Sequence, residues 1–268
     1  MNEGPDIPRQ FPLVPDTAPK VQLSVLRGPG AGATIRLRRI VSLIGSRPGC
    51  KVSLNHRGVA AVHCAVVNTG AEVFARDLVT DTKTYLNDLP LECERLGDGD
   101  VLKIAQWELA VHIQERSLGD AADDASLLDL EPTQAVALQV ADNGQLTRLR
   151  RDVCVVGRKS GCDVLVQHQH VSRAHALIAT YMGQPSVFDL LSSNGLQLND
   201  KPVVFAPIYS GDRLQVGEAA LRVVIPNQVA RQAAAPDNAD VDTTVIRLDD
   251  EDDQVDIRAA EIDPRSPF

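Results

Sequence analysis

Apolar residues in this chain come in short runs, and polar turn residues break those runs at close intervals. Over the last fully patterned stretch the runs fall at 153–156, 163–166, 174–181, 186–190, 196–199, 203–204, 213–216 and 219–225. Between them stand Gly157, the turn Met182-Gly183-Gln184-Pro185, the loop Ser192-Ser193-Asn194-Gly195, the turn Asn199-Asp200-Lys201, Ser210-Gly211-Asp212 and Gly217-Glu218. Short apolar runs bounded by Gly, Asn, Asp and Ser predict strands. Helical periodicity is nearly absent, so the expected class is all-β. The close, even spacing of the strands points to a sandwich.

The pattern occurs twice. Residues 133–225 repeat residues 21–113 at an offset of 112, with 27 of 93 positions identical and no gap. Gly45 aligns with Gly157, Cys50 with Cys162, His63 with His175, and Asp77-Leu78 with Asp189-Leu190. A repeat of this length is a duplicated domain, not a unit of a solenoid. The expected organisation is a disordered N-terminus (1–20), a first domain (21–113), an acidic linker (114–132), a second domain (133–225) and a disordered acidic tail (226–268). The linker carries six acidic residues with Gly119 and Pro132. About 19 flexible residues reach roughly 24 Å, so contact between the domains is not required. The tail is rich in Asp and Ala and has one aromatic, Phe268. It has too little apolar surface to fold alone.

Charge sharpens the picture. The net −9 is divided as +2 on each repeat, −5 on the linker and −7 on the tail, with −1 at the N-terminus. Mildly basic domains between acidic segments suit an anionic ligand. Aromatics are 3% of the chain, too few for a base-stacking platform, so nucleic acid is not an expected partner. No apolar stretch is long enough to span a membrane. Residues 1–20, with Glu3 and Asp6, do not read as a secretory signal. The five cysteines form no C-x-x-C pair and read as reduced, packed thiols in a cytoplasmic protein.

The repeats differ where chemistry would sit. The second has Arg158, Ser172, Arg173, Asn194 and Gly195 where the first has Ser46, Ala60, Ala61, Thr82 and Lys83. Shared apolar and glycine positions specify a fold, whereas polar groups kept in one copy only suggest a site used in that copy. In a sandwich the connecting loops cluster at the sheet ends, so these residues can converge. Arginine offers a fork matched to phosphate. Serine hydroxyls and loop N–H groups add donors, and asparagine can hold a peptide main chain from both sides. The set holds no carboxylate, thiol or metal ligand, so it would bind a phosphate without transforming it. No enzyme activity and no cofactor are expected. His168, His170, His175 and Cys162 match no common zinc spacing, and no metal is expected. His175, retained as His63, reads as a buried structural histidine, and Cys50 and Cys162 read as core. Arg47 stands one residue beyond the lost phosphate position and is expected to face away from it.

Gly157-Arg158, the run Val171-Ser172-Arg173-Ala174-His175-Ala176, and Asp189-Leu190 followed by Ser192-Ser193-Asn194-Gly195 resemble the forkhead-associated (FHA) domain. The resemblance covers all of 133–225, and the first repeat resembles the same family with its site erased. It implies two 11-stranded sandwiches whose end loops bind phosphothreonine peptides. It further implies that Arg158 and Ser172 hold the phosphate, Arg173 and Ser193 assist, and Asn194 holds the peptide backbone. Gly157, His175 and Gly195 would shape the loops.

The tail segment Asp240-Val241-Asp242-Thr243-Thr244-Val245-Ile246-Arg247 resembles the phosphorylation segment of small actinobacterial FHA regulators, where it lies near the N-terminus. That likeness implies Thr243 and Thr244 as phosphoacceptors and the tail as an intramolecular ligand. The resulting reading is a bacterial signalling adaptor acting through its second domain. Its partner would be a phosphothreonine protein, a Ser/Thr kinase or a kinase substrate. The alternative is a phosphate-independent scaffold built on the same fold.

Overall fold

The computed structural model describes residues 11–114, 136–140, 144–226 and 255–256. The first repeat forms β1 (Lys20–Arg27), β2 (Thr34–Leu37), β3 (Val41–Gly45), β4 (Val52–Ser53), β5 (Cys64–Asn68), β6 (Val73–Asp77), β7 (Thr84–Leu86), β8 (Leu89–Pro90), β9 (Cys93–Arg95), β10 (Val101–Ile104) and β11 (Trp107–Gln114). The second forms β12 (Ala137–Val140), β13 (Leu146–Arg148), β14 (Val153–Gly157), β15 (Val164–Leu165), β16 (Ala176–Tyr181), β17 (Gln184–Asp189), β18 (Leu196–Leu198), β19 (Lys201–Val203), β20 (Phe205–Pro207), β21 (Arg213–Val216) and β22 (Ala219–Val224). The architecture is all-β, as expected. Each repeat is a two-sheet sandwich, with sheet orders β2-β1-β11-β10-β7-β8 and β4-β3-β5-β6-β9 in the first. In the second they are β13-β12-β22-β21-β18-β19 and β15-β14-β16-β17-β20. Strand for strand, the two topologies are the same.

The outer sheets follow the alternation of a half-buried strand. In β1, Val21, Leu23 and Val25 are buried while Gln22 and Ser24 are partly exposed. The inner sheets do not alternate. Every residue of β3, β5, β6 and β14 is buried, the pattern of a strand covered on both faces. Side chains of a strand point to opposite faces in turn, and here the two faces serve two different cores. Ile44, Cys64, Val66 and Ala75 pack inside the first sandwich, as Val156, Ala176, Ile178 and Val187 do in the second. Their neighbours Val41, Leu43, Ala65, Val67 and Phe74 pack against Val153, Val155, Leu177, Ala179 and Phe188 of the other repeat.

The two domains therefore join face to face through a third hydrophobic core. The linker length left contact between the domains open, and the structure shows that they touch. The linker sets only an upper limit on separation, and the apolar faces close it. The contact follows the repeat symmetry. The β5–β6 hairpin tip meets the β16–β17 tip, with Met182 N–H donating to Thr69 O at 3.0 Å. Gly49 packs under Leu191 and Gly161 under Val79, and both pairs are related by the offset of 112. This is the self-complementary geometry of a two-fold dimer, made within one chain.

Polar contacts cross the seam as well. Arg76, 3% exposed, donates to Asp163 at 2.7 Å, and Arg151 pairs with both Asp163 and Glu92. Arg47 donates to Leu191 O at 2.5 Å. It does turn from the lost site, and what it reaches is the other domain.

Two expectations about the ends also change. Within 1–20, Phe11 is buried and stacks edge-on against Phe188 at 5.6 Å, so residues from 11 onward belong to the fold. Within the tail, Val255–Asp256 forms a short strand, β23, parallel to β4. Linker residues 115–132 and the rest of the tail beyond residue 226 lie outside the described residues. The cysteines are free thiols. Cys50 is fully buried and Cys162 partly so at the seam, and burial pushes both thiols up to about 11.

Candidate phosphopeptide site

Three connections meet at one end of the second sandwich: the end of β14, the β15–β16 loop and the β17–β18 loop. Their approach is set by Gly157. A Cβ built there would collide with the carbonyl oxygen of Arg173, and one on Gly45 would collide with that of Ala61. Glycine at both positions is thus a spacing requirement. With the gap closed, Arg158 N–H donates to Ser172 O at 3.0 Å and Lys159 N–H to Arg173 O at 3.2 Å.

His175 locks the loops together. It is fully buried. Its Nδ1 accepts Ser172 N–H at 3.0 Å and its Nε2 lies 2.9 Å from Gly195 O. An acceptor at Nδ1 leaves the proton on Nε2, which donates to Gly195. Burial holds the imidazole below its ordinary pKa, against the opposing pull of the Gly195 carbonyl and Asp189. The ring is a neutral, two-ended brace. Gly195, at φ +72°, supplies the left-handed turn that aims its carbonyl at the ring.

On this frame Ser193 N–H donates to Ser172 Oγ at 3.3 Å, and Asn194 Nδ2 donates to His170 O at 2.7 Å. Ser193 and Asn194 are exposed and Ser172 is partly so. Asn194 Nδ2 is committed to that carbonyl, and the amide still has an Oδ1 acceptor to offer a ligand N–H. Arg158 is exposed, and among the described residues nothing engages its guanidinium. Arg158, Ser172, Ser193 and Asn194 thus sit on one connected set of loops, with Gly157, His175 and Gly195 forming the frame beneath.

Arg173 sits differently. It is largely exposed, and its Nη1 lies 3.8 Å from Asp81 Oδ2, a residue of the first domain. Asp81 Oδ1 is also 2.6 Å from Lys159 Nζ. The Lys159 hydrogen bond and charge hold the Asp81 carboxyl below the usual carboxylate range. The first domain therefore places an acid at the rim of the second domain's cation cluster. Neither Asp81 nor Lys159 is singled out by the linear pattern, because their pairing depends on the seam between domains. Gly217, read from the sequence only as a turn residue, also has a part in the site. A Cβ there would strike His170 O, the carbonyl that anchors Asn194. The repeat comparison held this signal, since the first copy has Ala105 in its place.

The first copy keeps the frame and lacks the donors. Ser46 N–H reaches Ala60 O at 2.9 Å, His63 Nδ1 accepts Ala60 N–H at 3.0 Å, and Thr82 Oγ1 donates to Gly58 O at 2.7 Å in place of Asn194. Its β6–β7 loop is knitted inward: Asp77 accepts from Thr80 N, Thr80 Oγ1, Thr84 N and Thr84 Oγ1. In the second copy Asp189 accepts from Ser192 N, while Asp189 Oδ1 and Ser192 Oγ, both buried, make no aligned hydrogen bond among the described residues. One loop has satisfied itself. The other keeps polar groups unspent.

Comparison with known proteins finds one domain family twice in the chain. The FHA domain family model matches residues 42–105 and again 154–217. The chain is 41% identical over 63 residues to the ABC transporter ATP-binding/permease protein Rv1747 of Mycobacterium tuberculosis, covering 24% of this chain and 7% of that protein. It is 29% identical over 113 residues to the oxoglutarate dehydrogenase inhibitor of Corynebacterium diphtheriae, covering 41% of this chain and 79% of the relative. Among solved structures, the FHA-1 domain of Mycobacterium tuberculosis Rv1747 is 30% identical with a TM-score of 0.33, covering 37% of this chain and all of that one.

Proposed function

Because this chain belongs to the FHA domain family, with two copies in tandem, we propose that it is a phosphothreonine-dependent signalling adaptor whose second domain holds the ligand. The observation that carries this reading is the connected Ser172–Ser193–Asn194–His170 set beside an unengaged Arg158. A phosphate in that place meets a guanidinium fork, a hydroxyl and loop N–H groups, and Asn194 grips the chain beside it. Arg173 assists once the phosphate competes with Asp81 for it. The partner is a phosphothreonine protein, a Ser/Thr kinase or its substrate, and the adaptor works in the cytoplasm. Among the described residues no helix is long and apolar enough to cross a membrane.

The first domain is read as phosphate-blind, since Ser46, Ala60 and Thr82 supply none of these donors. Its third-core contact gives it a second role, as a rigid support for the second domain. A phosphate-independent scaffold remains the competing reading, and one experiment separates the two. The full chain is titrated calorimetrically with a phosphothreonine peptide and with its unphosphorylated twin. The adaptor binds the first with one site per chain and ignores the second. Equal binding of both, or of neither across a peptide library, would support the scaffold.

Thr243 and Thr244 lie outside the described residues. We propose them as phosphoacceptors whose modification adds nearly two negative charges to a tethered ligand. Thr243 stands 18 residues beyond Ile225. A tether of that length gives an effective concentration of order mM, so modest intrinsic affinity closes the ring. Kinase-treated full chain should then bind an outside phosphopeptide more weakly than a kinase-treated Thr243→Ala, Thr244→Ala variant. Matching affinities would show that the tail is no ligand.

A further inference from the structure

Directly behind the Asn194 anchor, the β15–β16 loop and the β21–β22 turn bring His168, His170 and Glu218 together. One ligand atom from each lies within 4.8 Å of the other two. Glu218 Oε1 is 2.5 Å from His170 Nδ1, and Oε2 is 3.7 Å from His168 Nε2. His170 Nδ1 is buried and yet makes no aligned hydrogen bond, even with the carboxylate that close. Two ligand atoms held at about 2.0–2.2 Å in a tetrahedron stand roughly 3.4 Å apart, so an ion would enter by parting the His170–Glu218 pair, within the span the three groups already have. The linear pattern offered His168 and His170 with Cys162 and His175; folding removes those two and supplies Glu218.

We propose that His168, His170 and Glu218 form a site for a first-row divalent cation of the zinc type. Two imidazole nitrogens and one carboxylate oxygen are the ligand set that such ions take, with water at the fourth position of a tetrahedron. His170 coordinates through Nδ1, Glu218 through one oxygen and His168 through Nε2. In the metal-free form His168 Nδ1 accepts His170 N–H at a long 3.3 Å. Coordination through Nε2 requires the His168 ring proton on Nδ1 and gives up that bond, and a proton held between His170 Nδ1 and Glu218 Oε1 moves to His170 Nε2 or to solvent.

The site belongs to the second domain alone. The corresponding residues of the first are His56, Gly58 and Gln106, which leave a single imidazole. Its position also links it to the phosphate loops, because His170 O receives the Asn194 side chain and Gly217 packs against the same carbonyl. Fixing His170 from its ring would fix the anchor of Asn194, a consequence that rests on the phosphopeptide reading. The metal site itself does not.

The test uses metal-free full chain under reducing conditions, titrated with Co²⁺ and followed by its visible absorption, then with Zn²⁺ by calorimetry. One equivalent should bind with a nitrogen- and oxygen-type spectrum and no thiolate charge-transfer band. Loss of a direct ligand should cost about tenfold or more in affinity, at least as much as loss of an outer-shell partner. His170→Ala and Glu218→Gln should both show it, and Cys162→Ser should not. Glu218→Gln keeps the shape of an exposed side chain, so its result does not depend on folding. Absence of saturable binding, a thiolate band, or unchanged binding in both variants would overturn the site. No peptide enters the measurement, so it can fail or succeed independently of the adaptor reading.

Discussion

Replacing Arg158 with alanine in the full chain should lower phosphothreonine-peptide affinity by about 10- to 150-fold while leaving the melting temperature nearly unchanged. The size follows from what is lost. A hydrogen bond to a charged group contributes roughly 1.5–3 kcal/mol, and each 1.4 kcal/mol is tenfold in affinity. The selectivity follows from where the residue stands. The Arg158 side chain is exposed and unengaged among the described residues, and the part that holds the fold is its backbone N–H on Ser172 O. Alanine keeps that N–H. Calorimetry with the phosphopeptide measures the first effect, and a thermal melt of the same sample measures the second. Parent-like affinity would mean that the phosphate lies elsewhere. A collapsed melt would mean that the guanidinium is structural after all.

The sandwich and most of the candidate site were legible in the sequence because both depend on local signals. The turn residues mark where strands stop, and the repeat offset tests every turn twice. The loss of Arg158, Ser172 and Asn194 from the first copy isolates the site without any geometry. What was not legible is the seam. Its signal was present in part: the run at 153–156 is continuously apolar and Val41-Ser42-Leu43-Ile44 is broken only by Ser42, which a strand with one wet face does not need. Such a run says that a second face is covered and cannot say by what. The cover here is the equivalent face of the other repeat, some 112 residues away in sequence. For the same reason Asp81 at the cation cluster and Glu218 beside two histidines could not be read linearly. Each is brought in by an element whose placement is tertiary.

The seam also explains how an emptied domain is retained. Val153, Val155, Leu177, Ala179 and Phe188 would be exposed if the second sandwich stood alone. An apolar patch of that extent on an isolated domain invites association. The first copy covers it and, through Arg47 on Leu191 O, steadies the loop that carries Ser193 and Asn194. In this arrangement the absence of the Arg158, Ser172 and Asn194 side chains from the first domain costs it nothing of its structural contribution. Its own loop, knitted by Asp77, became self-sufficient instead.

The strongest test of that seam is Asp163. Its Oδ2 accepts Arg76 Nη2 at 2.7 Å and Val155 N–H at 2.7 Å, and its Oδ1 accepts Arg151 Nη1 at 2.9 Å. It joins an arginine of the first domain to a strand of the second. Arg76 is 3% exposed, and its Nε already lacks a partner among the described residues. Asp163→Ala would leave that guanidinium inside the seam with Glu92 O at 2.8 Å as its remaining acceptor among the described residues. Removing one partner of a buried pair typically costs about 3–5 kcal/mol, because the other charge stays desolvated. For a chain of this size that corresponds to a fall of roughly 6–20 °C in Tm. Pairing the change with Arg76→Met should recover most of the loss, since a buried ion pair replaced by apolar groups is often neutral. The Val155 N–H would then remain unpaired, and the half-exposed Arg151 would keep Glu92 alone. Thermal melts of the parent, the single and the double variant decide the matter. If Asp163→Ala melts with the parent, the ion pair does not hold the domains together. If the double variant is no better than the single, the cost lies in the strand and not in the stranded charge.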